Sequence, residues 1–185
     1  MTREEEIQKV HAGGTHVVIL GAGASYASTL RNPEKNGKVL PLMRNIVDVV
    51  GLQDIVNGLP EDIKIFKEDF EKLHSKLSRT KRFSREIDEI EKRIHKYFSQ
   101  LQLPDEPTVY DYLILSLRHS KDVIATFNWD PFLYQAYVRN QDFVKSPGIL
   151  SLHGTVALGY NPVDGTSGPV GWISKRTLTA FEPIH

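Results

Sequence analysis

Five small residues in a row could bind the phosphates of a nucleotide. They directly follow a short apolar run and precede a predicted helix, and they are Gly21, Ala22, Gly23, Ala24 and Ser25. Small residues at such a turn let the backbone approach a pyrophosphate closely, and the free amides at the start of a helix donate hydrogen bonds to its oxygens. The same residues also suit a tight strand-to-helix turn that binds no ligand, so both interpretations stay open.

This turn departs from the fingerprint of nicotinamide dehydrogenases. Tyr26 stands where that fingerprint has its third glycine. No acidic residue ends a second strand about 20 residues further on, where the fingerprint places it. The sequence therefore disfavours an oxidoreductase that uses NAD as a hydride carrier.

A second group of candidate residues, Thr126, Asn128 and Asp130, straddles the end of another apolar run. Asn128 offers both a donor and an acceptor to ribose hydroxyls, and Thr126 is a further candidate for ligand binding. Asp130 precedes a proline, so it suits the cap of the next helix as well as a ligand contact. Trp129 fits core packing and the wall of a site for a flat ring equally well.

A third candidate is His153, which follows a further apolar run and precedes Gly154. A histidine can act as a general acid or base near neutral pH. Most of the seven histidines in this chain are expected to be structural. Its position directly after a predicted strand sets His153 apart from the others.

Three short apolar runs must position these residues, at 16–20, 123–127 and 149–152. Continuous runs of this kind are typical of strands that are buried on both faces of a parallel sheet. Helical patterns lie between the first two runs and after the second, so the predicted fold is α/β, a Rossmann-like doubly wound parallel sheet. Ligands bind outside the carboxyl ends of the strands in such sheets, and we expect all three motifs to meet at one rim.

Residues 60–102 have a different pattern, that of an antiparallel helical hairpin inserted into a single domain of residues 1–185. Apolar residues recur at helical spacing in two stripes, which are Ile63, Phe66, Phe70, Leu73 and Leu77, then Phe83, Ile87, Ile90, Ile94, Tyr97 and Leu101. The stripes favour packing on the domain itself, and a subunit interface or a cover for the ligand is the alternative. Thr108 and Asp111 have the spacing of a capping box that begins a later helix.

Composition excludes several classes of function. Lysine plus arginine and aspartate plus glutamate both number 23, so no net field draws the chain to nucleic acid or to an anionic membrane. The chain has no cysteine, which excludes disulfides, thiolate metal sites and thiol nucleophiles. No apolar run has the length of a spanning helix, and the start of the chain is too polar for a secretory signal. We expect a cytoplasmic protein that binds no metal, nucleic acid or membrane.

Together the motifs resemble those of sirtuin-like domains, which have a Gly-Ala-Gly-x-Ser loop, a Gln-Asn-x-Asp motif and a His-Gly pair in this order. The matching residues here lie at 21–25, at 127–130 and at His153-Gly154. The segment 40–43, Leu-Pro-Leu-Met, also resembles the sirtuin-like domains of bacterial anti-phage proteins that consume NAD. The resemblance covers residues from about 15 to about 160.

Three departures from the sirtuin pattern refine what the resemblance implies. Phe127 stands where protein deacylases of the family have glutamine, and a chain without cysteine lacks their four-cysteine zinc module. Hydrolysis of NAD is therefore favoured over protein deacylation. The chain ends at His185, before the late strands that complete the adenosine-ribose site in this family. We expect either a minimal domain or a fragment of a longer protein.

The resemblance implies an NAD glycohydrolase that releases nicotinamide and ADP-ribose and depletes NAD in anti-phage defence, as a homo-oligomer or with a partner defence protein. NAD would be the substrate, with its pyrophosphate on the amides of residues 22–25. Asn128 would orient the ribose hydroxyls and a water, Asp130 would hold the carboxamide, and His153 would act as general base. The alternative is a catalytically silent module that senses NAD or ADP-ribose and regulates a partner domain.

Overall fold

The computed structural model describes residues 14–30, 32–35, 38–160 and 167–169. Within these ranges a parallel sheet contains three strands in the order β1 (Val17–Leu20), β2 (Val123–Thr126) and β3 (Gly148–Ser151). The boundaries of each strand lie within one residue of those predicted from the apolar runs. The predicted α/β class is confirmed.

Helices connect and surround the strands. In chain order they are α1 (Ala22–Thr29), α2 (Ile46–Val50), α3 (Gln53–Asn57), α4 (Glu61–Lys64), α5 (Phe70–Ser78), α6 (Ser84–Phe98), α7 (Val109–Ser116) and α8 (Phe132–Asn140), with a 3-10 turn at Lys81–Phe83. A separate antiparallel pair consists of β4 (Leu158–Tyr160) and β5 (Ser167–Pro169). No helix in the described ranges is both long enough and apolar enough to cross a membrane.

The register of the sheet brings the ends of its strands to one level. Leu20 pairs with Thr126, and Thr126 pairs with Ser151. The segments that follow the strands therefore emerge side by side, and we call them the carboxyl rim: residues 21–25, 127–131 and 152–155. All three predicted motifs lie at this rim.

One face of the sheet is exposed, so the prediction of strands buried on both faces is wrong for the two outer strands. Val17 and Ile19 on β1 are 65% and 69% exposed, and Leu150 on β3 is 54% exposed. Strand order explains this. Both connections run in the same direction across the sheet, and right-handed crossovers then lie on the same face. A second winding requires a reversal of strand order, which the described strands do not contain.

The helices predicted within residues 60–102 are α4, α5 and α6. The first apolar stripe does not form one continuous helix, because Asp69 begins a new one by accepting a hydrogen bond from the amide of Lys72 at 3.2 Å. The rings of Phe70 and Phe98 pack edge-on against Trp129, with centroids 6.4 and 6.0 Å away. Trp129 therefore joins these helices to the carboxyl rim as a packing residue.

An ion pair between the buried Asp111 and the partly exposed Arg139 fixes α7 against α8. The predicted capping box is present, and Asp111 also accepts hydrogen bonds from Arg139 and from Asn140. Burial acts to raise the pKa of Asp111, but the hydrogen bonds from Arg139 and Thr108 outweigh burial and lower this pKa. The pairing sets the position of α7, whose second residue is Tyr110.

Candidate functional site

A buried polar network lies directly beneath the glycine-rich turn. Its four side chains come from three parts of the sequence and are almost fully buried: Ser25 and Tyr110 at 0% exposure, Asp130 at 6% and Asn128 at 8%. They are joined by hydrogen bonds of 2.6–3.0 Å. The network connects the segment after β1 to the segment after β2 and to α7.

Chemistry determines the direction of the hydrogen bonds around Ser25. An ionised carboxylate only accepts, so the hydroxyl of Ser25 donates to Asp130 at 2.6 Å. Ser25 has then used its single proton, and the phenol of Tyr110 must donate to it at 2.7 Å. The result is a directed chain from Tyr110 through Ser25 to Asp130.

The orientation of the Asn128 carboxamide follows from the same rules. Its nitrogen lies 2.9 Å from the carbonyl oxygen of Gly21, which can only accept, so the NH₂ group faces the turn. The nitrogen also lies 2.9 Å from Oγ of Ser25 and 3.0 Å from the hydroxyl oxygen of Tyr110. An NH₂ group has two hydrogens and one of them faces Gly21, so Ser25 and Tyr110 share the other. Its Oδ1 accepts no hydrogen bond from the described residues. Asn128 therefore offers an acceptor to a ligand, and its donors serve the network.

Asp130 holds the start of α8 from the position before its N-cap, which is Pro131, and it binds Ser25 with its other oxygen. Its contact with a ligand stays a prediction. Its Oδ1 accepts a hydrogen bond from the amide of Phe132 at 3.2 Å, in the first turn of α8, while its Oδ2 holds Ser25. Burial raises the pKa of Asp130 to about 6, against the opposing effect of these hydrogen bonds. Burial and the nearby Asp130 carboxylate both raise the pKa of Tyr110 above its ordinary value. These shifts mark an enclosed, weakly solvated cluster.

The upper side of the turn is open. Gly21, Ala22 and Gly23 are exposed, Ala24 is partly buried, and Ser25 is enclosed. Gly21 is the N-cap of α1 and has no side chain that could satisfy the first amides of the helix. A Cβ built on Gly21 or on Gly23 would meet no atom within 4 Å. The turn thus presents helix amides and free space above the buried network.

His153 lies at the same rim, outside the buried network. The amide of Leu152 continues the β2 ladder by donating to the carbonyl of Thr126 at 2.8 Å, and His153 follows on the exposed surface. Its ring packs edge-on against Phe127, with centroids 5.0 Å apart. Gly154 has φ of +74°, so the turn itself requires a glycine after His153.

Hydrogen bonds tie the loop that carries His153 to the loop that carries Asp130. The hydroxyl of Thr155 lies 3.1 Å from the carbonyl of Trp129 and 3.2 Å from that of Asp130. The amide of Val156 also donates to the carbonyl of Trp129, at 2.9 Å. His153 is therefore fixed relative to the network by its neighbours in the chain.

Tyr110 is the member of the network that the sequence patterns did not identify. The capping box predicted a helix at this position, and Tyr110 is its second residue. Local sequence does not determine which face of that helix meets α1, because tertiary packing decides it. A buried tyrosine whose hydroxyl must find a polar partner was the available signal.

A surface hollow of about 250 Å³ lies beside α1, and none of the four network residues is part of its lining. Its lining includes Ala27 and Ser28 of α1 with Pro104, Pro107 and Tyr112. The predicted site residues are not among those that line it. Within the described ranges, histidine and acidic residues form no cluster of three or more that could hold a metal ion.

The sequence-predicted residues meet at the rim in two groups. Asn128 and Asp130 belong to the network and Thr126 and the turn contact it, while His153 lies outside the network and packs on Phe127. Searches against protein-family models and against curated proteins found no match to this chain. The functional assignment below therefore rests on the motifs and on this geometry.

Proposed function

We propose that this chain is an NAD glycohydrolase, which binds NAD at the carboxyl rim and hydrolyses the bond between nicotinamide and ribose. The observation that carries the proposal is the open turn at residues 21–23, held from beneath by Asn128 and Asp130 through Ser25. Nicotinamide and ADP-ribose would be the products. Protein deacylation remains the less favoured reaction.

The two glycines support phosphate binding because nothing else in the described fold explains them. Gly21 has φ of −123°, a backbone conformation that any residue adopts, and Gly23 lies within α1. Glycine destabilises a helix by up to about 1 kcal/mol relative to alanine. A pyrophosphate that approaches the backbone closely would account for glycine where the protein alone does not require it.

The Asn128 acceptor restricts which part of the substrate it could hold. Oδ1 has no partner among the residues that the structure describes, and as an acceptor it requires a partner that donates a hydrogen bond. A ribose hydroxyl or the attacking water meets this requirement, and the oxygens of a phosphate do not. Asn128 would thus orient a hydroxyl or a water beneath C1′ of the ribose.

His153 would serve as the general base. The oxygen of the water forms a bond to C1′ while the C1′–N bond breaks. The electron pair of the C1′–N bond stays on the ring nitrogen, and nicotinamide leaves as a neutral base. His153 would take the proton from the water, a contribution of typically ~10² to 10⁴ in rate. Its exposed position leaves its ring nitrogens accessible to a substrate that lies across the rim.

Asp130 supports the site in a different way from the one the resemblance implies. Holding the nicotinamide carboxamide requires access, and the carboxylate is 6% exposed and already accepts two hydrogen bonds. Its contacts support a role in anchoring Ser25 and the start of α8. The carboxamide contact that the resemblance implies would require this carboxylate to become accessible.

The fold and setting that accompany this function are also proposals. A Rossmann-like doubly wound sheet would cover the exposed apolar side chains of Val17, Ile19 and Leu150 with a second layer of helices. The motif resemblance supports a cytoplasmic role in anti-phage defence, with NAD depleted by a homo-oligomer or together with a partner defence protein.

A second candidate, a module that senses NAD or ADP-ribose without turnover, is favoured by one observation. The NH₂ group of Asn128 faces three internal acceptors and Asp130 is enclosed, so His153 is the one predicted site residue with an exposed acid-base group. Such a closed network suits a stable binding platform.

Incubation of the purified protein with NAD separates the candidates. Release of nicotinamide together with ADP-ribose supports hydrolysis. A one-to-one ratio of the two products excludes transfer of ADP-ribose to another acceptor, which would leave less of it free. Bound NAD that is recovered intact supports the sensor. Formation of NADH with an added alcohol, or the absence of both binding and turnover, would rule out the glycohydrolase.

A further inference from the structure

We propose that Tyr110 is a positioning residue of the candidate site, whose hydroxyl couples the carboxylate of Asp130 to the carboxamide of Asn128 through Ser25. This proposal deepens the proposed function, on which its catalytic consequence rests. The geometry of the coupling stands independently of any turnover.

Placement of the phenol carries the proposal. Tyr110 is fully buried, and its oxygen lies 2.7 Å from Oγ of Ser25 and 3.0 Å from Nδ2 of Asn128. It donates to the first and accepts from the second, so its proton and a lone pair are both engaged. A residue that served only to fill space at this point would need no hydroxyl.

The phenol closes a ring of hydrogen bonds. One hydrogen of the Asn128 NH₂ group is shared between the oxygens of Tyr110 and Ser25, and Tyr110 donates to Ser25. Hydrogen bonds in such a chain polarise one another, and an enclosed network strengthens the effect. Tyr110 thereby restricts the carboxamide to the orientation that presents Oδ1 to a ligand.

The other end of the chain is the carboxylate. The hydroxyl of Ser25 donates to Asp130, and Tyr110 donates to Oγ of that hydroxyl. The bond from Tyr110 polarises the hydroxyl of Ser25 and makes it a stronger donor to Asp130. Loss of the phenol hydroxyl is therefore expected to weaken the support of the ionised form and to raise the pKa of Asp130 further. Asp130 is the charged member of this network, and its carboxylate acts on Tyr110 by raising the pKa of the phenol.

Tyr110→Phe removes one oxygen and leaves the ring, and Tyr112→Phe on the same helix is the matched control because Tyr112 is 62% exposed. The first readout is NMR of the Asn128 side-chain NH₂ group and of the Asp130 carboxyl carbon during a pH titration. We expect Tyr110→Phe to shift the NH₂ resonances, to speed their exchange with water roughly tenfold, and to raise the Asp130 pKa. We expect Tyr112→Phe to match the wild type.

Turnover is the second readout. If the wild type releases nicotinamide, Tyr110→Phe should lower kcat roughly tenfold with a smaller change in KM, since it disturbs the orientation of Asn128 more than the phosphate contacts. If the wild type releases none, the proposed function fails and the NMR result alone decides the positioning role.

Unchanged Asn128 resonances, exchange and Asp130 titration in Tyr110→Phe would overturn the proposal. If this variant does not fold, Ser25→Ala breaks the same chain at its middle atom. The Asn128 NH₂ group should then exchange faster as well, and exchange at the wild-type rate in Ser25→Ala would equally overturn the coupling.

Discussion

The hydroxyl of Ser25 lies 2.6 Å from the carboxylate of Asp130, although 105 positions separate the two residues in the sequence. One side chain comes from the turn after β1 and the other from the segment after β2. The bond therefore fixes the glycine-rich turn against the neighbouring strand end. Because both groups are buried, we expect protonation of Asp130 to change the free energy of unfolding.

We predict that Asp130→Asn removes a component of the pH dependence of stability. The pKa of Asp130 rises from 3.8 to about 6 on folding, so the folded chain holds this proton more tightly than the unfolded chain. The contribution of the protonated group to stability is complete below pH 4 and is lost as the pH rises to about 6. The change corresponds to about 3 kcal/mol.

Urea unfolding of the wild type and of Asp130→Asn at several pH values from 4 to 7 tests this linkage. Other titrating groups cancel in the difference between the two proteins. The wild type should lose stability relative to the variant as the pH rises. Parallel curves would mean that the carboxylate has no raised pKa in the folded protein.

We predict opposite effects of Gly23→Ala on stability and on ligand affinity. The added Cβ meets no atom within 4 Å, and alanine favours a helix over glycine, so the variant should be more stable by up to about 1 kcal/mol. The same methyl group would occupy space that a pyrophosphate needs. Thermal melts and calorimetric titration with ADP-ribose measure the two effects.

Gly51→Ala provides the control with the reverse outcome. Gly51 ends α2 in the left-handed region at φ of +79°, where alanine costs about 1 kcal/mol. This variant should melt earlier and bind ADP-ribose as the wild type does. If Gly23→Ala binds ADP-ribose as tightly as the wild type, the turn does not bind the phosphates as proposed.

The sequence predicted most of what determines the positions of the motifs. The apolar runs at β1, β2 and β3 are local signals, and a parallel arrangement then places Asn128 and His153 at one rim. The capping box at Thr108 is equally local, since Asp111 lies three residues away. In each case a few neighbouring residues determine the structure.

What the sequence could not predict depends on contacts between distant segments. The exposure of Ile19 reflects the direction of two crossovers, which no strand pattern encodes. The inward orientation of the Asn128 NH₂ group depends on the carbonyl of Gly21 and on the hydroxyl of Tyr110. Tyr110 contacts Asn128 because α7 packs beside the rim, and this packing is not encoded locally. Consequently a donor-and-acceptor role was expected for Asn128, and an acceptor role is what the geometry offers.

Arg139→Met should destabilise the fold without involving the rim loops directly. Asp111 is buried and Arg139 is partly exposed, so loss of Arg139 leaves a carboxylate that keeps its bonds to Thr108 and Asn140, at a cost of about 1–3 kcal/mol. Because the folded pKa of Asp111 is lowered, its stabilisation is present above its unfolded pKa and is lost as the pH falls. Urea unfolding at pH 7 and at pH 3 should show a smaller difference between the proteins at pH 3.

The exposed Arg85 of α6 supplies the comparison for that experiment. Arg85→Met removes the same charge and should change the free energy of unfolding by less than about 0.5 kcal/mol. Equal effects of the two substitutions would show that net charge, rather than the ion pair with Asp111, determines the loss.

Asn128→Ala is a weaker test of catalysis than its predicted role suggests. The substitution removes hydrogen bonds to Gly21, to Ser25 and to Tyr110 from a buried position. We expect it to abolish nicotinamide release and also to lower stability by about 1–3 kcal/mol. Turnover must therefore be measured below the melting temperature of the variant.

His153→Ala separates catalysis from folding, because His153 is exposed and its ring packs on the half-exposed ring of Phe127. We predict a loss of nicotinamide release of about 10²- to 10⁴-fold, as expected when a general base is removed, with a melting temperature close to that of the wild type. His119→Ala is the control, since His119 is an exposed histidine that precedes β2, at the opposite end of the strands from the rim. Nicotinamide release is measured beside a thermal melt for each protein. Wild-type turnover by His153→Ala would exclude this histidine as the base, and an equal loss in His119→Ala would point to a general effect of removing a histidine.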